Sequence, residues 1–157
     1  MLNKVIESLR NSTPVETADA HCDGPCGVYD PSSARIAAEA SLSMTKKILA
    51  LTPPSGDDSV AWANYLNKLG RYVAIKEQQT HLAKEELLVL WTDYFKPVHL
   101  EQHPDLHTLF WTAAKECSAV KVEVSLEHAT HLMEIIEKIH HIFWATKNRD
   151  VPWYTAS

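Results

Sequence analysis

Eleven consecutive residues, His21-Cys22-Asp23-Gly24-Pro25-Cys26-Gly27-Val28-Tyr29-Asp30-Pro31, concentrate an imidazole, two thiols, two carboxylates and a phenol. Thiol and imidazole donors together suit borderline and soft transition metals. Cys22 and Cys26 are separated by three residues, not the two of a zinc knuckle, and no second cysteine pair completes a tetrahedral site. A local disulfide or two idle thiols are the plain alternatives. The segment follows a leader, Met1–Ala20, that ends Ala18-Asp19-Ala20 and so places small residues before His21 as a signal peptidase requires. Asn3, Lys4, Glu7, Ser8 and Arg10 interrupt any apolar core, so this is not a secretory signal. It is either a propeptide removed without export or an N-terminal extension that is retained. If the Ala20–His21 bond is cut, the His21 amine, the deprotonated Cys22 amide and both thiolates can form a planar N2S2 set. Such a set suits Ni(II) or Cu(II), with the His21 imidazole as an axial donor. Gly24 and Pro25 allow the turn that returns Cys26, and Gly27 permits close backbone approach.

The remaining metal-type residues carry weaker signals. His99, His103 and His107 are spaced by four, but Pro104 interrupts the helix that would align them. Glu137 and His140 form a Glu-x-x-His pair, of which a di-iron bundle needs two. Cys117 reads as a small buried apolar residue. Lys84-Glu85-Glu86 reads as a solvated helix face.

Positioning the eleven-residue segment falls to a predicted all-α domain. The chain has 157 residues, enough for one domain with a core, and its 45% apolar content with only four glycines favours packed helices. A net charge of −5 disfavours nucleic-acid and anionic-membrane surfaces. No apolar run is long enough to span a membrane. Asp30-Pro31 starts a helix over Ser32–Leu51, with Ile36, Ala40, Leu42, Met44, Ile48 and Leu51 as its expected buried stripe. The breaker Thr52–Ser59 precedes a second helix from Val60 to Phe95. Leu66, Leu69, Val73, Leu82, Leu87, Leu90, Trp91 and Tyr94 are its expected apolar positions, with Gly70 a point of bending or interruption. A third helix runs from Pro104 to Ala119. Val120–Val124 alternates like a strand but has no partner, so it reads as a connector or helix end. Ser125 caps a last helix whose face carries Leu126, Ala129, Leu132, Met133, Ile136, Ile139, Ile142 and Phe143. The tail 148–157 brings Trp153 and Tyr154 either to a subunit contact or to a mobile end. Four helices with mostly short connections predict an antiparallel four-helix bundle carrying an N-terminal metal-binding hook.

Residues 21–31 resemble the nickel-binding hook of the nickel superoxide dismutase family. Ile75-Lys-Glu-Gln78, Ala83-Lys84, Leu90-Trp-Thr-Asp-Tyr-Phe-Lys-Pro97 and Phe143-Trp-Ala-Thr-Lys147 are similar to later family motifs. The resemblance implies a mature domain over 21–157, assembled as a homohexamer after a signal-peptidase-like protease removes residues 1–20. It implies one nickel ion per subunit, held by the His21 amine and axial imidazole, the Cys22 amide and thiolate, and the Cys26 thiolate. Asp23 would help hold the loop, and Tyr29 and Tyr94 would line the approach to the metal. The implied activity converts superoxide to O2 and H2O2 by Ni(II)/Ni(III) cycling in the cytoplasm. Lys96, beside Tyr94, is the candidate cation for steering the anionic substrate through a net acidic chain. A nickel or copper carrier using the same hook is the alternative. Gly24 stands where some members carry leucine. Ala37 and Gln79 stand where some carry a glutamate and an arginine that steady the axial imidazole, which leaves open what orients His21.

Overall fold

A computed structural model describes residues 27–156. The leader 1–20 and the sites at Ala20, His21, Cys22, Asp23 and Cys26 therefore lie outside the described residues. What is described is all-helical: α1 (Ser32–Leu49), α2 (Ser59–Val89) with a π-helical turn at Leu90–Tyr94, α3 (Pro97–Gln102), α4 (Leu106–Val122) and α5 (Leu126–Thr146). α1 packs on α2, α2 on α4, α4 on α5, and α5 back on α1, which closes a four-helix bundle as expected. Short α3, absent from the sequence-based expectation, fills the crossover from α2 to α4.

The helix ends carry the capping chemistry that their sequences supply. Asp30 accepts from the Ser32 amide at 2.8 Å, one residue ahead of the cap position taken by Pro31. Asp58 accepts from the amides of Val60 and Ala61 at 2.9 and 3.1 Å. Ser125 accepts from the His128 amide at 3.2 Å, as expected. α2 runs unbroken through Gly70, while Val120 to Val122 finish α4 without forming a strand.

The core is formed mainly by the later helices, where Leu106, Phe110, Ala113, Ala129, Leu132, Met133, Ile136, Ile139 and Phe143 are buried. The apolar stripe expected on the first helix is not its buried face, and that expected on the second is buried only toward its end, where Leu87 and Leu90 enter the core and Trp91 and Tyr94 pack against it. Ile36 is 56% exposed and Leu66 58%, and α1 instead buries Ala34, Ala37, Ala38, Ser41 and Thr45. Small side chains let α1 and α2 approach closely, and the polar atoms in that seam are satisfied inside it. Ser41 Oγ meets Thr80 Oγ1 at 2.6 Å, Thr80 Oγ1 donates to the Lys76 carbonyl at 2.7 Å, and Thr45 Oγ1 donates to the Ser41 carbonyl at 3.0 Å.

Lys76 joins this seam to the other half of the bundle. It is 2% exposed, and its ammonium donates to the carbonyls of Val120, Lys121 and Glu123, the last two at 2.9 and 3.1 Å. These oxygens end α4, where intrahelical donors run out and the helix dipole is negative. Burial pulls the Lys76 pKa below its ordinary value, with Glu77 opposing that shift.

At the other end of α5, Asn148 takes φ 54°, a left-handed conformation that asparagine tolerates. Its amide donates to Ala145 at 2.9 Å and the Arg149 amide to Trp144 at 3.0 Å, closing a Schellman motif. The chain then folds back over its own bundle. His140 Nε2 donates to the Val151 carbonyl at 2.9 Å, Trp153 packs on His140, and Tyr154 lies under the Arg35 guanidinium. The Ala156 amide donates to Glu39 Oε1 at 2.6 Å, while Glu39 Oε2 holds Arg35 at 2.9 Å.

Two predictions rest on this packing. Lys76→Met should lower stability by about 2–3 kcal/mol, because it strands buried carbonyls. Urea unfolding measures this, and an unchanged midpoint would show that the cap contributes nothing. The second concerns the α4–α5 connection, where Glu116 holds His128 Nδ1 at 2.9 Å and His131 Nδ1 at 3.3 Å, and Glu123 lies 3.8 Å from His128 Nε2. The hydrogen bond to Glu116 raises the His128 pKa above its ordinary 6.5. The folded chain thus keeps a proton that the unfolded chain releases. The stability this adds is complete below the unfolded value and is lost as pH rises through the folded one. As pH rises from below 6.5 to above it, the native chain should lose more stability than His128→Gln does; parallel pH profiles would contradict it.

Candidate metal centre

The described chain begins within the hook segment, at Gly27. Gly27 has φ 65°, which favours glycine, and none of the described residues lies within 4 Å of where a Cβ would stand. Its left-handed turn comes directly after Cys26. Val28 is exposed, and Pro31 is buried at the start of α1. Between them Tyr29 reaches Tyr94, with ring centroids 5.6 Å apart and planes tilted by 52°. Val28, Tyr29, Asp30, Ser33, Glu86, Val89 and Leu90 line a small cleft of about 140 Å³.

The π-helical turn sets the position of Tyr94. The Phe95 amide bonds to the Leu90 carbonyl at 3.1 Å, five residues back. The extra residue rotates the downstream chain by roughly 100° relative to a continued α-helix, and such turns recur at functional sites. Leu90 and Phe95 enter the core while Tyr94 remains half-buried at its edge. Around the Tyr94 ring stand Phe143 at 4.5 Å, Phe95 at 5.0 Å and His99 at 5.6 Å, the last nearly parallel at 22°. The Tyr94 hydroxyl meets Thr146 Oγ1 at 2.5 Å.

Lys96, two residues on, is exposed and precedes α3. Its amide donates to His99 Nδ1 at 3.1 Å, and the His99 amide donates to the Lys96 carbonyl at 2.8 Å. Burial, with Lys96 and His103 nearby, lowers the His99 pKa, which suits an Nδ1 that accepts. A cation over Tyr94 comes from Lys147, whose ammonium lies 5.2 Å from that ring centroid and 5.0 Å from that of Phe143. Sequence reasoning passed over Lys147 because only the bundle brings the end of α5 beside the π-helical turn. The run Thr146-Lys147 inside the last quoted motif was the available signal.

Ala37 is buried on α1 and Gln79 half-buried on α2. Glu39, the nearest carboxylate along α1, is engaged by Arg35 and the tail amide. Burial pushes the Cys117 thiol up to about 12, consistent with a core residue. Glu137 lies 3.9 Å from His141, while His140 turns to Val151. Among the described residues, no three His, Cys, Asp or Glu side chains are placed to hold a metal. Among them, too, no helix is long and apolar enough to cross a membrane.

Residues 16–147 match the family model described as nickel-containing superoxide dismutase. The chain is 43% identical over 134 residues to a protein of Streptomyces seoulensis named superoxide dismutase [Ni], covering 85% of this chain and 93% of that one. A protein of the same name from Streptomyces coelicolor is 40% identical with the same coverage. A crystal structure of Ni-containing superoxide dismutase with nickel ligation corresponding to the oxidised state matches with a TM-score of 0.70 at 43% identity. A native nickel superoxide dismutase structure matches at 0.69 and 40% identity. Both alignments cover 82% of this chain and the whole of the solved one.

Proposed function

The chain belongs to the nickel-containing superoxide dismutase family, an oxidoreductase with a nickel cofactor and superoxide as substrate, and we propose that His21, Cys22 and Cys26 hold its metal. The donor set would suit nickel: the Cys22 and Cys26 thiolates, the Cys22 amide nitrogen and the His21 amine and imidazole would hold it. The left-handed turn at Gly27 supports this reading, since it breaks the chain direction directly after the last donor. Bound nickel supplies a one-electron couple, Ni(II)/Ni(III), whose potential the thiolates bring toward that of superoxide.

This chain's own residues prepare and guard that centre. Removal of residues 1–20 by a signal-peptidase-like protease frees the His21 amine; uncut, that nitrogen is an amide and the donor set is incomplete. Asp23 holds the loop. Tyr29 and Tyr94 line the approach, order water and exclude larger molecules. Two superoxide ions and two protons leave as O2 and H2O2. Lys147, with Lys96 farther out, supplies positive field for an anionic substrate in a chain of net charge −5. The mature domain 21–157 acts as a homohexamer in the cytoplasm, where thiols stay reduced. The observation that carries the reading is the contact of Tyr29, three residues after Cys26, with Tyr94 at 5.6 Å.

Mass spectrometry of the purified active protein, combined with a nickel assay, tests this. The expected form begins at His21 and carries one nickel per chain. An active, nickel-bearing chain that still begins at Met1 would refute the amine ligand. Charge reversal tests the field: Lys147→Glu should lower kcat/KM about threefold to tenfold at low ionic strength, with the gap closing as salt rises. Lys96→Glu should act in the same direction but less. A salt-independent loss would assign these lysines a packing role instead.

A further inference from the structure

Resting on the reading that Tyr94 lines the approach, we propose that Thr146 is a positioning residue that fixes which way the Tyr94 hydroxyl points. Tyr94 Oη and Thr146 Oγ1 are 2.5 Å apart, and either could donate on distance alone. The next bond removes that ambiguity. Thr146 Oγ1 donates to the Phe143 carbonyl at 2.6 Å, and a hydroxyl carries a single proton. The Tyr94 proton must then point to Thr146, giving a one-way chain from phenol to threonine to the carbonyl near the end of α5.

The consequence falls on the other side of the phenol oxygen. With its proton committed to Thr146, Tyr94 Oη keeps only acceptor capacity on the side of Tyr29. It receives hydrogen bonds from water and from the protonated product H2O2, and offers none to an anion. Superoxide is then drawn in by the cations, while the phenol does not retain it. Packing of the ring between Phe143, Phe95 and His99 keeps the hydroxyl on this line.

Thr146→Val keeps the side-chain shape and removes the hydroxyl; Thr146→Ser keeps the hydroxyl. Ultraviolet resonance Raman spectra of the metal-free proteins, with Tyr94→Phe to assign the Tyr94 contribution, report whether that phenol donates. The expected result is a changed tyrosine ring doublet in Thr146→Val and a native one in Thr146→Ser. In the nickel-loaded enzyme, azide serves as a small anionic probe. A released phenol proton should tighten azide inhibition about fivefold in Thr146→Val, the scale of one net hydrogen bond, and not in Thr146→Ser. An unchanged doublet in Thr146→Val overturns the hydrogen-bond direction itself. A changed doublet with unaltered azide inhibition overturns its bearing on the site, and with it the placement of Tyr94 on the approach.

Discussion

The Lys76 ammonium, set against the last carbonyls of α4, is the contact on which the two halves of the bundle depend. It rises from the α1–α2 seam and ends on the α4–α5 side, so one side chain joins both. A buried cation is costly unless its donors are filled, and the end of a helix is where unsatisfied acceptors gather. The same residue therefore resolves two problems at once, its own desolvation and the open carbonyls of α4. The seam it leaves from is polar and close, built from Ala34, Ala38, Ser41, Thr45 and Thr80, which holds α1 firmly where the hook joins it.

From that frame the cluster around Tyr94, the proposed approach to the metal, is assembled by three separate segments. Tyr29 comes from the end of the hook, Tyr94 from a π-helical turn, and Thr146 and Lys147 from the last turn of α5 and the cap beyond it. Each arrives through a different backbone device: a left-handed glycine, an inserted residue, and a Schellman end directly beyond the helix. The tail past the Schellman turn closes over Arg35 and Glu39, so both ends of the described chain are tied to α1.

How much of this was legible differs along the chain. α5 was readable in detail because its buried face is large, apolar and regular, from Ala129 to Phe143. α1 was not, because its buried face is made of alanine, serine and threonine, and its bulkier Ile36 lies outside. Hydrophobic periodicity marks the heaviest stripe, and a close helix contact selects the lightest one instead. α3 escaped notice because six residues carry no periodicity to measure. Tyr29 and Tyr94, which pack on each other, both lie in motifs visible in the sequence. Lys96 is close to Tyr94 in sequence, whereas Lys147, 53 residues away in the chain, is the cation over that ring.

What the sequence by itself determined is the chemistry on offer and the type of element that carries it. Helices follow from composition and caps, and a run holding thiols and imidazole within six residues needs no long-range packing to be recognised, because its donors are neighbours in the chain. Only the tertiary structure decided which faces are inside, which lysine caps α4, and which groups surround Tyr94. Those outcomes depend on contacts between residues 44 to 53 positions apart, as in Lys76 with Val120 or Tyr94 with Thr146 and Lys147. Local pattern carries no information about such pairs, since it is the closing of the bundle that makes them neighbours.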